Sequence, residues 1–441
     1  MLDNFYKNFK SGTDIRGVAS EGVEGQNVNL TDDVVKKMAF GFVLWLEKVA
    51  DKKASEMTIS VGRDSRISGE RIANDVIDSF KKAGVKVIYT NLSSTPSMFM
   101  TTVDLGCDGA VQITASHHPF NRNGLKFFTP NGGLEASDIE EILQYAQDDK
   151  KPEITDNGTV EEMDYMSRYS NHLCDIIKKG VNAENYDHPL KGFKIVVDAG
   201  NGVGGFYADK VLKVLGADTE GSVYLDPDGM FPNHIPNPED KTAMESISKA
   251  VLDSKADLGV IFDTDVDRGG AVDSFGKEIN RNRLVALASA IALEGTDGGT
   301  IVTDSVTSSG LKDFIENHLG GKHYRYRRGY KNVIDKGIEL NNNGEFCPLA
   351  IETSGHAAMK ENYFLDDGAY LCTKSIIKMA QLAKENKTID MMLKDLKEPA
   401  ESKEIRFKIT EEDFRACGEK IIADLEKYAE NEPNWIVADD N

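Results

Sequence analysis

Three stretches of the chain repeat one pattern of apolar and polar positions. "MTISVGRDSRISG" (57–69), "FKIVVDAGNGVGG" (193–205) and "GTIVTDSVTSSGL" (299–311) each run from a short apolar segment into a polar turn rich in glycine or serine. Apolar runs of this length predict strands covered on both faces, and the segments that follow predict helices. Further on in each unit a second apolar run ends in a polar tip: "GAVQITASHHP" (109–119), "LGVIFDTDVDR" (258–268) and "PLAIETSGH" (348–356). Units of about 100 to 150 residues built this way predict a duplicated, doubly wound α/β domain rather than three unrelated ones. Open sheets of that kind bind ligands beyond the carboxyl ends of their strands, so the three tips are expected to meet in one cleft.

Helical spacing is clearest in "DDVVKKMAFGFVLWLEKVA" (32–50), where apolar residues recur every three or four positions and two carboxylates follow the candidate cap Thr31. "GERIANDVIDSFKKAG" (69–84) predicts a crossover helix closed by glycine. The polar, turn-rich "QDDKKPEITDNGTVEE" (147–162) reads as the link between the first and second units, with further links near 276–283 and 396–404.

Composition narrows the class. The 441 residues suffice for about three domains of ordinary size. No run of about 18 apolar residues occurs and the N-terminus lacks a signal-peptide core, so a cytoplasmic protein is expected. Cys107, Cys174, Cys347, Cys372 and Cys417 are scattered without a CxxC pair and are expected to be reduced packing residues. With 52 basic against 73 acidic side chains, the net charge of −21 argues against nucleic acid and anionic membranes as partners. An anionic substrate then needs a local cluster of cations, for which Arg63, Arg66, Lys126, Arg268 and the run "KHYRYRRGYK" (322–331) are the candidates.

The tips differ in chemistry. Ser116 stands at the first, followed by His117 and His118 and a polar turn; no GxSxG elbow surrounds it, which disfavours a hydrolase. Asp263, Asp265 and Asp267 alternate at the second, and three carboxylates so close require a cation or basic neighbours, with hard oxygen donors favouring Mg²⁺. An EF-hand does not fit, because Arg268 takes the place of its glycine. That arginine suits a phosphate bridging to the metal. Glu352, Ser354 and His356 at the third tip suit the hydroxyls of a sugar. "AGNGVGG" has the spacing of a dinucleotide fingerprint, yet no acidic residue closes a second strand about 20 residues on, so its glycines are read as serving a tight turn.

"TASHHPFNRNGLKFF", "DTDVDR" and "ETSGH", in this order and at these separations, resemble the α-D-phosphohexomutase family of phosphomannomutases and phosphoglucomutases. "SGTDIRG" (11–17) resembles its N-terminal arginine loop, and "DGMFPNHIPNPED" (228–240) its second-domain signature. The resemblance implies three similar doubly wound mixed-sheet α/β domains followed by the start of a truncated fourth α+β domain. The expected divisions are a phosphoserine domain over 1–160, a metal-binding domain over 161–279, a sugar-binding domain over 280–398 and a partial phosphate-binding domain over 399–441. It further implies Mg-dependent interconversion of hexose 1-phosphate and hexose 6-phosphate, of glucose or mannose, through a phosphoserine and a sugar bisphosphate. By this resemblance Ser116 carries the phosphoryl group and joins Asp263, Asp265 and Asp267 as a metal ligand. Lys126 is the general acid/base, His117 orients the phosphoserine, and Arg16 and Arg268 add positive charge; Glu352, Ser354 and His356 bind the sugar, and Lys331, outside the family pattern, is expected to supply charge to its distal phosphate. Alternatives are a phosphoglucosamine mutase or a catalytically weak relative that binds sugar phosphate or metal. The partners implied are small hexose phosphates, with a monomer or weak dimer expected.

Five positions depart from the family pattern. Thr264 and Val266 replace the glycines of the usual DGDGDR loop, and His118 stands where asparagine is usual. Val306 and Tyr330 stand where some members carry a basic residue and histidine. A loop of the type RxSGTEP, which grips the distal phosphate in the family's fourth domain, does not occur. "EIRFKITEEDFRACGEKIIADLEKYAE" (404–430) reads as a strand and helix beginning that domain, and "NWIVADDN" (434–441) as part of a second strand and turn. The chain as given is therefore expected to turn over hexose phosphates more slowly than an extended one.

Overall fold

The predicted apolar runs form strands of three separate mixed sheets in the computed structural model, which describes residues 1–401, 403, 405, 407, 409–411 and 413–435. The first sheet contains β1 (Lys10–Ser11), β2 (Asp14–Val18), β3 (Thr58–Arg63), β4 (Lys86–Leu92), β5 (Gly109–Ile113), β6 (Arg122–Thr129), β7 (Gly132–Gly133) and β8 (Thr159–Glu162). Its order is β1-β2-β6-β5-β3-β4-β8, with β7 paired to β6. β3 runs parallel to β4 and β5, whereas β6 lies antiparallel between β2 and β5. The second sheet, β12-β11-β10-β9, is built from β9 (Ile195–Asp198), β10 (Leu258–Phe262), β11 (Gly269–Asp273) and β12 (Glu278–Ile279). The third, in the order β14-β13-β15-β16-β17, is built from β13 (Thr300–Asp304), β14 (Lys322–Tyr326), β15 (Leu349–Ile351), β16 (Ala357–Met359) and β17 (Leu365–Asp366).

Each unit thus sets two parallel strands side by side and turns back antiparallel after the second, and that reversal creates the polar tip. Every residue of β5, β10, β13 and β15 is buried, which explains why their sequences show no alternation. Helices cover both faces. One core belongs to the first unit and includes Val35, Met38, Phe42, Phe80 and Phe127. A second joins all three units, from Met98 and Tyr169 through Val260 and Phe262 to Leu287, Ile301, Ile351 and Leu371. This shared core ties the units together, so the loops at their strand ends are held in fixed register.

The helix predicted over 32–50 spans Asp32–Ala50, but the Thr31 side chain makes no capping hydrogen bond, leaving Asp32 and Asp33 to favour its first turn through their charge. The crossover helix spans Gly69–Lys82 and is followed by Gly84 at φ +88°. A Cβ at Gly84 would lie 2.5 Å from the Thr155 hydroxyl. The segment read as a link over 147–162 ends instead in β8, a fully exposed edge strand parallel to β4. Polar, solvated edge strands lack the apolar signature that marks inner strands. The glycines of "AGNGVGG" pack against the protein's own backbone: a Cβ at Gly202 would sit 2.6 Å from Thr264 O, and one at Gly205 2.1 Å from Leu225 O. No helix among the described residues is long and apolar enough to cross a membrane.

Beyond the third unit a helix spans Phe414–Asn431. Ile421, Ile422, Leu425 and Tyr428 on it each leave more than half of their surface in solvent. The strand expected after 404 falls partly, and the second strand over 434–441 mostly, outside the described residues.

Candidate active site

The serine tip is the connection between β5 and β6. Ser116 holds φ at +50°, a left-handed conformation that costs a non-glycine residue on the order of 1–3 kcal/mol and persists only where its surroundings enforce it. The enforcement is visible. Ser116 N–H donates to Thr114 Oγ1 at 2.9 Å, and the Thr114 hydroxyl donates to Asp64 Oδ2 at 2.7 Å. The Arg66 guanidinium, fully buried beside Asp64, donates to the carbonyls of Ser116, His118, Pro119 and Arg122 at 2.5 to 2.9 Å. Arg66, a candidate for capturing an anionic substrate, is thus spent on backbone acceptors and shapes the serine loop instead. Burial raises the Asp64 carboxyl, an effect that Arg66 opposes.

The acidic tip is the hairpin between β10 and β11. Carboxylate oxygens of Asp263, Asp265 and Asp267, all buried, lie within 4.8 Å of one another. Val266 occupies φ +67° in this hairpin, an unusual conformation for a β-branched residue. Burial raises Asp263 and Asp265, and the charge of Asp267 raises them further. Asp267 also pays for burial, but Lys126, His356 and Arg268 outweigh that and hold it well below the usual carboxylate range. Asp265 Oδ1 and Asp267 Oδ1 are buried with no hydrogen-bond partner. Orphaned, clustered carboxylate oxygens fit a hard divalent cation, which would supply the missing partners.

Both tips meet at Arg268. Its Nη2 donates to Ser116 Oγ and to His117 Nδ1, each at 2.7 Å, and to Asp263 Oδ2 at 2.8 Å. Ser116 Oγ itself lies 3.1 Å from Asp263 Oδ2. Asn237, from the "DGMFPNHIPNPED" segment, accepts from Arg268 Nη1 at 3.2 Å. Burial, with the charges of Arg268, His118 and Arg16, pushes His117 down to about 2, so the ring is neutral and accepts from Arg268. His118 is pushed down to about 3 by burial and by Arg16, whose Nη1 donates to its Nε2 at 2.8 Å. Arg16 therefore bonds His118 and, at 3.0 Å, Asp14 Oδ2, while Arg268 bonds the serine. Lys126 Nζ donates to Asp267 Oδ2 at 2.8 Å; burial opposes its charge, yet Asp267 and the acidic groups around it hold it firmly as an ammonium.

The third tip joins β15 to β16 and lies on the acidic hairpin. A Cβ at Gly355, which holds φ at +98°, would stand 2.7 Å from Gly269 O, so this approach requires glycine. Glu352 Oε1 accepts the Gly329 amide at 2.6 Å, Ser354 Oγ donates to Glu352 Oε2 at 3.4 Å, and His356 Nδ1 bonds Asp366. Burial raises the Glu352 carboxyl. Ser116, His117, Lys126, Arg268, the three aspartates and His356 thus form one connected cluster. Lys331 does not join it: its Nζ donates to Asp335 at 2.6 Å and to Glu135 at 2.5 Å, which neutralise its charge. Thr95, absent from the sequence-derived set, reaches Asp265 through both its backbone amide, at 2.8 Å, and its hydroxyl. Its only signal in the sequence is a helix start in "SSTPS".

The three α/β/α domains described as phosphoglucomutase/phosphomannomutase domains I, II and III match residues 8–153, 167–276 and 280–399 in turn. The chain belongs to the α-D-phosphohexomutase family. Members similar to it include the phosphoglucomutase of Neisseria meningitidis serogroup A, 30% identical over 84% of this chain and 74% of that protein. The phosphomannomutase/phosphoglucomutase of Pseudomonas putida is 30% identical over 75% and 68%. The phosphoglucosamine mutase of Nautilia profundicola is 31% identical over 85% and 80%. Among solved structures, a phosphoglucomutase/phosphomannomutase family protein of Burkholderia thailandensis superposes with a TM-score of 0.72 at 26% identity, over 90% of this chain and 81% of that one. The phosphohexomutases are isomerases of carbohydrate metabolism, and the acidic cluster of this member can hold a metal.

Proposed function

We propose that the protein interconverts the 1- and 6-phosphates of glucose or mannose, with Ser116 as a phosphoryl carrier. The observation that carries this reading is the position of Ser116 Oγ, 2.7 Å from Arg268 and 3.1 Å from Asp263, at the mouth of three buried carboxylates. A phosphoryl group on that oxygen would face a guanidinium on one side and the acidic hairpin on the other. Asp263, Asp265, Asp267 and one oxygen of the phosphoserine would hold Mg²⁺, which when bound neutralises charge on the transferring group.

In the first transfer the Ser116 Oγ–P bond breaks and a bond forms from phosphorus to the free hydroxyl of the hexose phosphate. Lys126, held as an ammonium, gives a proton to Ser116 Oγ as it leaves and is restored by the proton that the attacking hydroxyl loses. The bisphosphate turns over in the cleft, and Ser116 takes back the other phosphoryl group by the reverse of the same step. Arg268 stabilises the group in flight, and neutral His117 keeps Arg268 aimed at the serine. Glu352, Ser354 and His356 bind the sugar hydroxyls; Arg16 supports the serine loop through His118. Lys331 is already neutralised by two carboxylates, which favours the exposed Arg327 over it for the distal phosphate.

Glucosamine phosphate is the second reading, favoured by the Nautilia profundicola relative. Coupled assays of the full chain with glucose, mannose and glucosamine 1-phosphates, in Mg²⁺ and a trace of sugar bisphosphate, decide between them. Turnover of glucose or mannose phosphate well above glucosamine phosphate supports the first reading, and the reverse order the second. A chain that binds these sugars without turnover, and whose intact mass shows no phosphoryl group, is a binding relative.

A further inference from the structure

Tyr330 joins three pieces of the site that lie far apart in the chain. Its ring stands under the Lys126 ammonium, 4.6 Å from Nζ to the centroid. The same ring stacks on His356 of the sugar loop, with centroids 5.1 Å apart and planes 23° from parallel. Its hydroxyl shares a hydrogen bond of 2.9 Å with Thr13, in the turn between β1 and β2. Its backbone starts the helix Tyr330–Asn342 directly after Gly329, whose amide is held by Glu352. Tyr330 is thus fixed by the sugar loop at two points, through Glu352 and His356, and in turn touches Lys126.

A buried lysine has a flexible four-carbon stem and needs directional contacts on more than one side to stay in one place. On one side Lys126 has Asp267 at 2.8 Å; on another it has this ring. We infer that Tyr330 is a positioning residue for Lys126, coupling the seating of the sugar loop to the placement of the proton carrier. The inference rests on the mutase reading above and deepens it. Tyr330 touches no reacting atom: it fixes where the ammonium stands between Ser116 and the sugar hydroxyl. A histidine at this position would offer a smaller ring and no hydroxyl to reach Thr13.

The test uses steady-state kinetics of the full chain with its best hexose 1-phosphate. Tyr330→Leu is expected to lower kcat by ~10- to 100-fold, the cost of a misplaced catalytic group, while KM changes by less than ~3-fold. Serine phosphorylation from added sugar bisphosphate should reach the wild-type level at equilibrium. Tyr330→Phe keeps the ring and should recover most of the lost rate. Tyr330→Met repeats the aliphatic arm should the leucine variant fail to fold. On a Lys126→Met background, Tyr330→Leu should add no further loss, because its effect passes through that lysine. The inference is overturned if Tyr330→Leu and Tyr330→Met keep wild-type kcat, if Tyr330→Phe is as impaired as they are, or if the losses multiply on the Lys126→Met background. Absence of turnover by the wild-type chain with every hexose phosphate removes the mutase reading itself, and the inference with it.

Discussion

At the scale of single residues, the side chains that meet in the cluster are legible in the sequence and those that hold its geometry are not. Ser116, Arg268 and the three aspartates stand out because reactive side chains at the ends of apolar runs have few structural reasons to be there. Arg66 reads in the sequence as one more cation for an anionic substrate, since nothing local reveals that its guanidinium closes on four carbonyls. Its burial against Asp64 makes it costly to remove. Arg66→Met should destabilise the protein by about 3–5 kcal/mol, because one buried charge is left without its partner and the loop carbonyls without donors. Denaturant unfolding that shows less than ~1 kcal/mol lost would remove the loop-shaping role. Glu352 is the opposite case, a carboxylate proposed to bind the sugar. Glu352→Gln retains an oxygen for the Gly329 amide, so it should raise KM for the hexose phosphate while leaving phosphoryl occupancy of Ser116 unchanged. A collapse of that occupancy with unchanged KM would place Glu352 in serine phosphorylation instead.

At the scale of elements, strands buried on both faces are readable from their unbroken apolar runs, whereas β8 reads as linker because all four of its residues are exposed. Loop anchors depend equally on partners distant in sequence. The "DGMFPNHIPNPED" segment, whose Asn237 touches Arg268, is pinned by His234, with Nε2 donating to Asp198 at 3.0 Å and Ser246 donating to the same carboxylate at 2.7 Å. Burial alone would lower His234, but the hydrogen bond and charge of Asp198 win and raise it above its ordinary value. A raised folded-state value means that the protonated pair contributes stability below the unfolded value of about 6.5, lost as pH rises through the folded value. The stability difference between wild type and His234→Gln should therefore be largest in acid and shrink toward alkaline pH. A difference that stays constant from about pH 5.5 to 9 would show that His234 acts by packing alone.

At the scale of the whole molecule, the repeat of three βα units and the meeting of their tips follow from the sequence pattern. The shared core does not, because residues such as Met98, Phe262 and Leu371 look like any other core positions until the sheets are placed side by side. Assembly has an electrostatic cost: it buries three carboxylates in one place, against Ser116 and Thr95 of one unit and His356 of another. Asp265→Asn should consequently raise the unfolding temperature in the absence of divalent cations, since a buried like charge is gone and the Thr95 hydroxyl still has an oxygen to bond. The same change should increase by ~10-fold or more the Mg²⁺ concentration needed to stabilise the protein. An unchanged Mg²⁺ titration would exclude Asp265 as a ligand.

The central claim is that Ser116 carries the phosphoryl group between the two ends of the sugar, and peptide mapping by mass spectrometry tests it most directly. The protein is incubated with Mg²⁺ and glucose 1,6-bisphosphate, digested and sequenced, with Ser116→Ala as the control. A single phosphoryl group on Ser116, discharged when excess glucose 6-phosphate is added and absent from the folded but inactive Ser116→Ala protein, is the expected result. A phosphoryl group on another residue, or turnover by Ser116→Ala within a few-fold of wild type, would contradict it.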